Sequence, residues 1–139
     1  MPEKKTLERA KRDLQQGKSP STAAGEFVHE EIEHVRQGKH GARSSKQAIA
    51  IGLSKARRAG VPLPPPEQGQ TSERTRRAAK RELATAQRKR TPRSASPKRS
   101  AATSRALKRE SRAAASPAAL SRHAKSVARR KGRKASRRT

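Results

Sequence analysis

The chain has no Cys, Trp or Tyr, a single Phe, and only 11 Asp and Glu among its 139 residues. Each scarcity removes a class of protein. Without Cys there is no disulfide framework, no thiolate nucleophile and no Cys-based zinc site. One aromatic ring gives no platform for stacking single-stranded bases. No uncharged run approaches the length of a membrane span, and the basic opening residues lead into a charged helix pattern rather than an apolar signal core. A soluble, cytoplasmic protein without a membrane partner is expected. Hydrophobic residues make up 29% of the chain and many are Ala, which leaves room for one small folded unit.

What is abundant is positive charge. Lys and Arg number 37, for a formal net charge of +26. Residues 1–62 hold 13 basic and 7 acidic side chains, whereas residues 63–139 hold 24 and 4. Like charge at this density repels itself, so a compact state calls for a polyanion. Each cation that neutralises a phosphate releases condensed counterions, which makes nucleic acid the expected partner.

Composition divides the chain into residues 1–17, 18–63 and 64–139. The first reads as a short helix over residues 2–17, with Pro2 near its start, Gly17 past its end and a thin stripe of Leu7 and Leu14. So thin a stripe predicts fraying unless the helix docks. In the second, Ser21 or Thr22 can cap a helix running to about Gln37. Its apolar face is Val28, Ile32 and Val35, flanked by Ala24 and Phe27. Gly38 ends it. A connector from Gly38 to Arg43 leads to Ser44, which opens a capping box with Gln47. Ile49, Leu53 and Ala56, widened by Ala48 and Ile51, form the face of a second helix that stops at Gly60, with Val61 able to fold back over Ala56.

The expected fold is therefore all-α: a small antiparallel helical hairpin with a short N-terminal helix, followed by a largely disordered basic tail with transient helices. Nine large apolar residues are few for the hairpin. It should need DNA, a second copy of itself or helix 2–17 across its seam. Pro64-Pro65-Pro66 reads as a stiff spacer, and beyond it the chain is almost wholly Ala, Arg, Lys, Ser, Thr and Pro. Helical patches over residues 72–90 and 117–131 are expected to stay unfolded until phosphates screen their cations.

Two resemblances stand on particular residues. Ser96-Pro97-Lys98-Arg99, after Thr91-Pro92-Arg93, resembles the basic Ser-Pro elements of histone H1-like tails. That resemblance implies a turn projecting two cations into a narrow minor groove, and the plainer alternative is a phosphate-binding linker with an incidental Ser-Pro. The stretch from Ser19-Pro20-Ser21-Thr22 through Gly38-Lys39-His40-Gly41-Ala42-Arg43-Ser44 to Lys55-Ala56-Arg57-Arg58-Ala59-Gly60 resembles a family of small basic bacterial proteins, some labelled plasmid stabilisation protein. It covers about residues 18–66 and implies a bacterial, non-enzymatic, DNA-associated role without bringing site residues.

The candidate contacts follow from charge and placement. The start of the second helix offers unpaired N–H groups to phosphate, surrounded by Lys39, His40, Arg43 and Lys46, while Lys55, Arg57 and Arg58 cluster at its other end. The tail adds Arg74, Arg76, Arg77, Lys80, Arg81, Arg88, Lys89, Arg90, Arg93, Lys98 and Arg99. Further along come Arg105, Lys108, Arg109, Arg129, Arg130, Lys131, Arg133 and Lys134. Thr91, Ser96 and Ser116 each precede Pro, and phosphate there would add about −1.5 to −2 charge amid these cations.

No catalytic set is visible, so an enzyme is not expected, nor a cofactor. His29-Glu30-Glu31-Ile32-Glu33-His34 does not read as a zinc-protease motif, because its histidines stand five apart, about 140° around a helix. No metal is expected there. The acidic group Glu26, Glu30, Glu31 and Glu33 is either a solvated face or a docking face for the tail or a basic partner. The function expected is that of a histone-like, nucleoid-associated protein that neutralises and compacts or bridges duplex DNA with little reading of sequence, and that can self-associate. RNA or ribosome binding is the alternative, as is a protein-docking hairpin that the tail tethers to nucleic acid.

Overall fold

In the computed structural model, residues 3–88 and 96–137 are described, apart from the side chains of residues 134–136. Their helices are α1 (Lys4–Gln15), α2 (Pro20–Arg36), α3 (Ser45–Arg58), α4 (Glu73–Gln87), α5 (Pro97–Arg109) and α6 (Pro117–Arg137), with a 3₁₀ turn at Arg112–Ala115. No strand occurs among the described residues. None of these helices is long and apolar enough to cross a membrane.

Serine starts almost all of them. The hydroxyls of Ser19, Ser44, Ser72, Ser96 and Ser111 accept a backbone N–H from the turn they open, and Ser116 accepts from Ala119 at 3.2 Å to start α6. Each satisfies a donor that the helix itself leaves unpaired. The cap of α2 is thus Ser19, two residues before the expected Ser21 and three before Thr22, because Pro20 takes the first helical position. In the box that opens α3, Gln47 Oε1 accepts from Arg43 N at 2.6 Å, one residue beyond the cap. The first three helices close alike. Gly17, Gly38 and Gly60 adopt positive φ, and the next residue donates to the carbonyl of Asp13, His34 or Ala56.

Two small apolar clusters hold the molecule. One joins Ala10, Ala23, Ala24, Phe27, Ala56, Val61 and Leu63, with Leu14 and Leu53 against it. Helix α1 therefore docks on α2, through Ala10 and Leu14, while Leu7 remains 39% exposed. The other joins Val35, Ala42, Ala48, Ala114 and Ala115, with Ile32 against it.

The α2–α3 contact differs from the expected ridge of large residues. Ile49, Ile51 and Leu53 are only half-buried, and the buried positions of α3 are Ser45, Ala48, Gly52, Ala56 and Arg57. Gly52 explains this, since a Cβ there would stand 2.6 Å from Val28 Cα and 2.9 Å from Val28 N. The two backbones approach through a missing side chain, so small residues occupy the seam and larger ones flank it.

The expectation of a largely disordered tail is corrected. The described part of residues 64–139 is mostly helical, and it is tied to the first 63 residues at two places. Near α3, Arg57 donates to the carbonyls of Leu63 (3.3 Å) and Pro64 (3.1 Å), and Arg76 to that of Pro66 (3.3 Å). Ser54 donates to Glu82 at 2.6 Å, and Ala79 of α4 is buried. At the connector, Gly41 N donates to Leu107 O (2.8 Å) and Ala42 N to Ser111 O (3.0 Å). Ser45 Oγ reaches Ala114 O at 2.5 Å and Arg36 Nε reaches Ala115 O at 3.1 Å. Repulsion among cations alone favours an unfolded tail, and these anchors oppose it. Ala, the commonest apolar residue of the tail, supplies helix propensity and fits where backbones run close.

Candidate nucleic-acid interface

The expected site residues separate by position. Arg74, Arg77, Lys80 and Arg81 are exposed and line one shallow depression on α4. Their spacing of three, three and one places them along one side of the helix. Arg88, Lys98, Arg99, Arg105, Lys108 and Arg109 are exposed, as are Arg129, Arg130, Lys131 and Arg133 of α6. None of these has a carboxylate within 4 Å among the described residues, so their charge is uncompensated. Arg76 is the exception on α4. It is half-buried, 3.7 Å from Glu73 and bonded to Pro66 O.

Around the connector the cations divide. Arg43 and Lys46 are exposed and share a cleft with Ser44, Ser45, Arg122 and His123, so α6 completes a basic mouth at the start of α3. Arg122 and His123 lie more than 75 residues further on in the sequence, and no local signal links them to the connector. Lys39 is exposed and stands 3.8 Å from Glu3. The closeness that Gly41 permits belongs to the protein itself, since a Cβ there would lie 1.8 Å from Glu110 O. Two of the connector's N–H groups, those of Gly41 and Ala42, are likewise engaged with residues 107 and 111.

Three other expected contacts point inward. His40 Nε2 lies 3.1 Å from Glu31 Oε2, and Lys55 Nζ pairs with Glu31 Oε1. Arg57 is 7% exposed, and burial pushes its guanidinium below its ordinary value while the nearby Glu82 charge opposes the shift. Arg58 stays exposed, with Nε on Ser54 O at 3.4 Å. Lys89, Arg90, Thr91 and Arg93 lie outside the described residues, as does the side chain of Lys134.

The Ser-Pro pairs are helix starts rather than free turns. Ser96 caps α5 with Pro97 in its first turn, and Ser116 caps α6 ahead of Pro117. Lys98 and Arg99 consequently sit in the first turn of α5. The acidic group is not a solvated face. Glu31 is fully buried and Glu30 is 5% exposed, while Glu26 and Glu33 are half-buried beside Arg9 (3.9 Å) and Arg36 (3.1 Å). On α2 the chain covers its acids, while α4 to α6 display most of their cations.

Sequence reasoning missed the grouping of Glu31, His34 and His40. One ligand atom from each lies within 4.8 Å of the others. The available signal was Glu31 and His34 one turn apart on α2, with His40 just past the stop at Gly38.

Residues 17–67 match a family of unknown function, DUF6496. No curated protein and no solved structure matches the chain.

Proposed function

We propose that the protein binds duplex DNA as a histone-like, nucleoid-associated factor of the cytoplasm, neutralising the phosphate backbone with little reading of sequence. The observation that carries this reading is the distribution of charge. Unpaired cations line the exposed sides of α4, α5 and α6, whereas most carboxylates of residues 1–63 are buried or paired. A helix holds such cations at fixed spacing, so less freedom is lost on meeting a regular array of phosphates than a flexible tail would lose.

In this reading α2 and α3 form an antiparallel hairpin that serves as a frame, and α4 to α6 are the contact elements. The cleft of Arg43, Lys46, Arg122 and His123 adds a phosphate contact at the start of α3, where the helix dipole favours an anion. Sequence discrimination should be slight, because the chain has no Asn and few Gln to read base edges.

Fluorescence anisotropy with two unrelated duplexes, titrated at several salt concentrations, tests the proposal. If about eight phosphates are contacted, affinity should fall by roughly three to five decades between 50 and 200 mM salt, alike for both duplexes. The triple variant Arg74→Ala, Arg77→Ala, Arg81→Ala should flatten the salt slope by about 2 to 3. A shallow slope in the parent chain, or strong preference for one duplex at fixed salt, refutes it. Tighter binding of duplex RNA would move the assignment to RNA.

A further inference from the structure

We propose that Glu31, His34 and His40 form a binding site for one divalent transition-metal ion of the zinc class. The argument begins with hydrogen-bond donors. His40 Nδ1 lies 2.8 Å from the carbonyl of Gly41, which can only accept, so Nδ1 carries a proton. That leaves Nε2 facing Glu31 Oε2 at 3.1 Å, and a neutral ring would set two lone pairs against each other. A proton or a metal ion must therefore stand between them, and the donors around the pair favour the metal ion. The Gly41 carbonyl therefore acts as the outer partner that fixes a metal-binding imidazole in the right tautomer.

His34 repeats the pattern from the other side. Its Nδ1 lies 3.7 Å from Glu31 Oε1, and its Nε2 lies 3.4 Å from Glu3 and 4.0 Å from Glu30. Both ring nitrogens thus face carboxylates. A zinc-class ion held by nitrogen and oxygen at about 2.0–2.2 Å places neighbouring donors roughly 3.3 Å apart. The 3.1 Å from His40 to Glu31 Oε2 matches that value, and His34, 3.7 Å from the other oxygen, must move in to complete the set. Two imidazoles and one carboxylate are a donor set suited to zinc, cobalt or nickel and ill suited to magnesium or calcium.

Glu30, beside His34 but outside this cluster, is a second buried carboxylate. Glu30 Oε2 is buried and has no hydrogen-bond partner, although its other oxygen accepts from Glu3 N at 2.7 Å. A buried carboxylate oxygen without a partner is costly, and a cation close by offsets that cost. Lys55 on Glu31 Oε1 supplies one positive charge, against the carboxylates of Glu30 and Glu31. A cavity of about 190 Å³ between α1 and α2 is bordered by Glu30 and His34 and reaches only the His34 side of the cluster. The bound ion would fasten the end of α2 to the connector.

The test is titration of the full-length, metal-free chain with Co²⁺, followed by displacement with Zn²⁺. One ion per chain should bind, with visible absorption characteristic of a low-coordinate nitrogen and oxygen site. A hundredfold excess over Kd should raise the melting temperature by about 10 °C. His34→Ala and His40→Ala should each weaken binding at least tenfold, and His29→Ala should leave it unchanged, since His29 is exposed and outside the cluster. In the parent chain, Zn²⁺ should shift the ring resonances of His34 and His40 and not those of His29 and His123. That measurement decides the matter even where a variant loses its helical signal. No saturable uptake, equal uptake in both cluster variants, or shifts confined to His29 or His123 would overturn the proposal.

Discussion

Replacing Gly41 by Ala adds one methyl group where the molecule has no space for it. The φ angle at Gly41 is not positive, so Ala meets no backbone penalty and the whole effect is steric. The new Cβ would stand 1.8 Å from Glu110 O and 2.2 Å from Glu110 C, and backbone atoms cannot turn aside as a side chain can. The segment 107–115 must lift away. Four hydrogen bonds go with it: Gly41 to Leu107, Ala42 to Ser111, Ser45 to Ala114 and Arg36 to Ala115. At about 1 kcal/mol net each, docking weakens by roughly 4 kcal/mol, which is close to a thousandfold in the opening equilibrium. Amide exchange measured by NMR reads this directly. The Gly41 and Ala42 amides should lose protection by that order, trypsin should cut sooner after Arg109 and Arg112, and the interior amides of α2 and α3 should change little. Unaltered protection at residues 41 and 42 would mean that the C-terminal segment is not seated there, and the reading of a docked tail would be wrong.

Two further substitutions probe the frame. Gly25 and Gly52 are both helical, yet a Cβ at Gly25 meets nothing within 4 Å, whereas one at Gly52 runs into Val28. Gly25→Ala should therefore stabilise by about 0.5–1 kcal/mol through helix propensity, and Gly52→Ala should destabilise by about 1–2 kcal/mol net; urea melts giving the same sign for both would contradict the close α2–α3 seam. Arg57→Ala removes charged donors from the carbonyls of Leu63 and Pro64 and should lower stability by about 2–4 kcal/mol, with Arg57→Lys recovering only part, because one ammonium cannot span both acceptors with the same fork. Equal melting midpoints for Arg57→Ala and the parent chain would show that the strap contributes nothing.

How far the fold could be read from the sequence follows from what sequence signals encode. Helix starts and stops are local, and the stops at Gly17, Gly38 and Gly60 and the cap at Ser44 were legible because each needs only a few neighbouring residues. Counting hydrophobicity by size misplaces the face of α3. Only a partner helix reveals that Gly52 sits where Val28 comes closest. The tail departs from its expected disorder for a related reason. Its charge is visible residue by residue, but the anchors at Gly41, Ser45 and Arg36 bridge about 65 to 80 residues and leave no periodic trace. Among the candidate contacts, exposure was legible on α4, where Arg74, Arg77 and Arg81 recur at helical spacing. It was not legible for Lys55 and Arg57, whose acceptors come from Glu31 and from the turn after Gly60.

The docking of residues 107–115 also sets an order of events. The stretch that matches a protein family stops at residue 67, some forty residues short of the first carbonyl that the connector requires. While the chain is being synthesised, α1, α2 and α3 can assemble around Phe27, yet Gly41, Ala42, Ser45 and Arg36 must use water as their partner until residue 115 has emerged. Closing so long a loop adds only a slowly growing entropic cost, so the step is late rather than forbidden. The stretch that matches the family and the stretch that satisfies the connector therefore differ in length. In this protein a segment that arrives after the frame closes the junction at the connector.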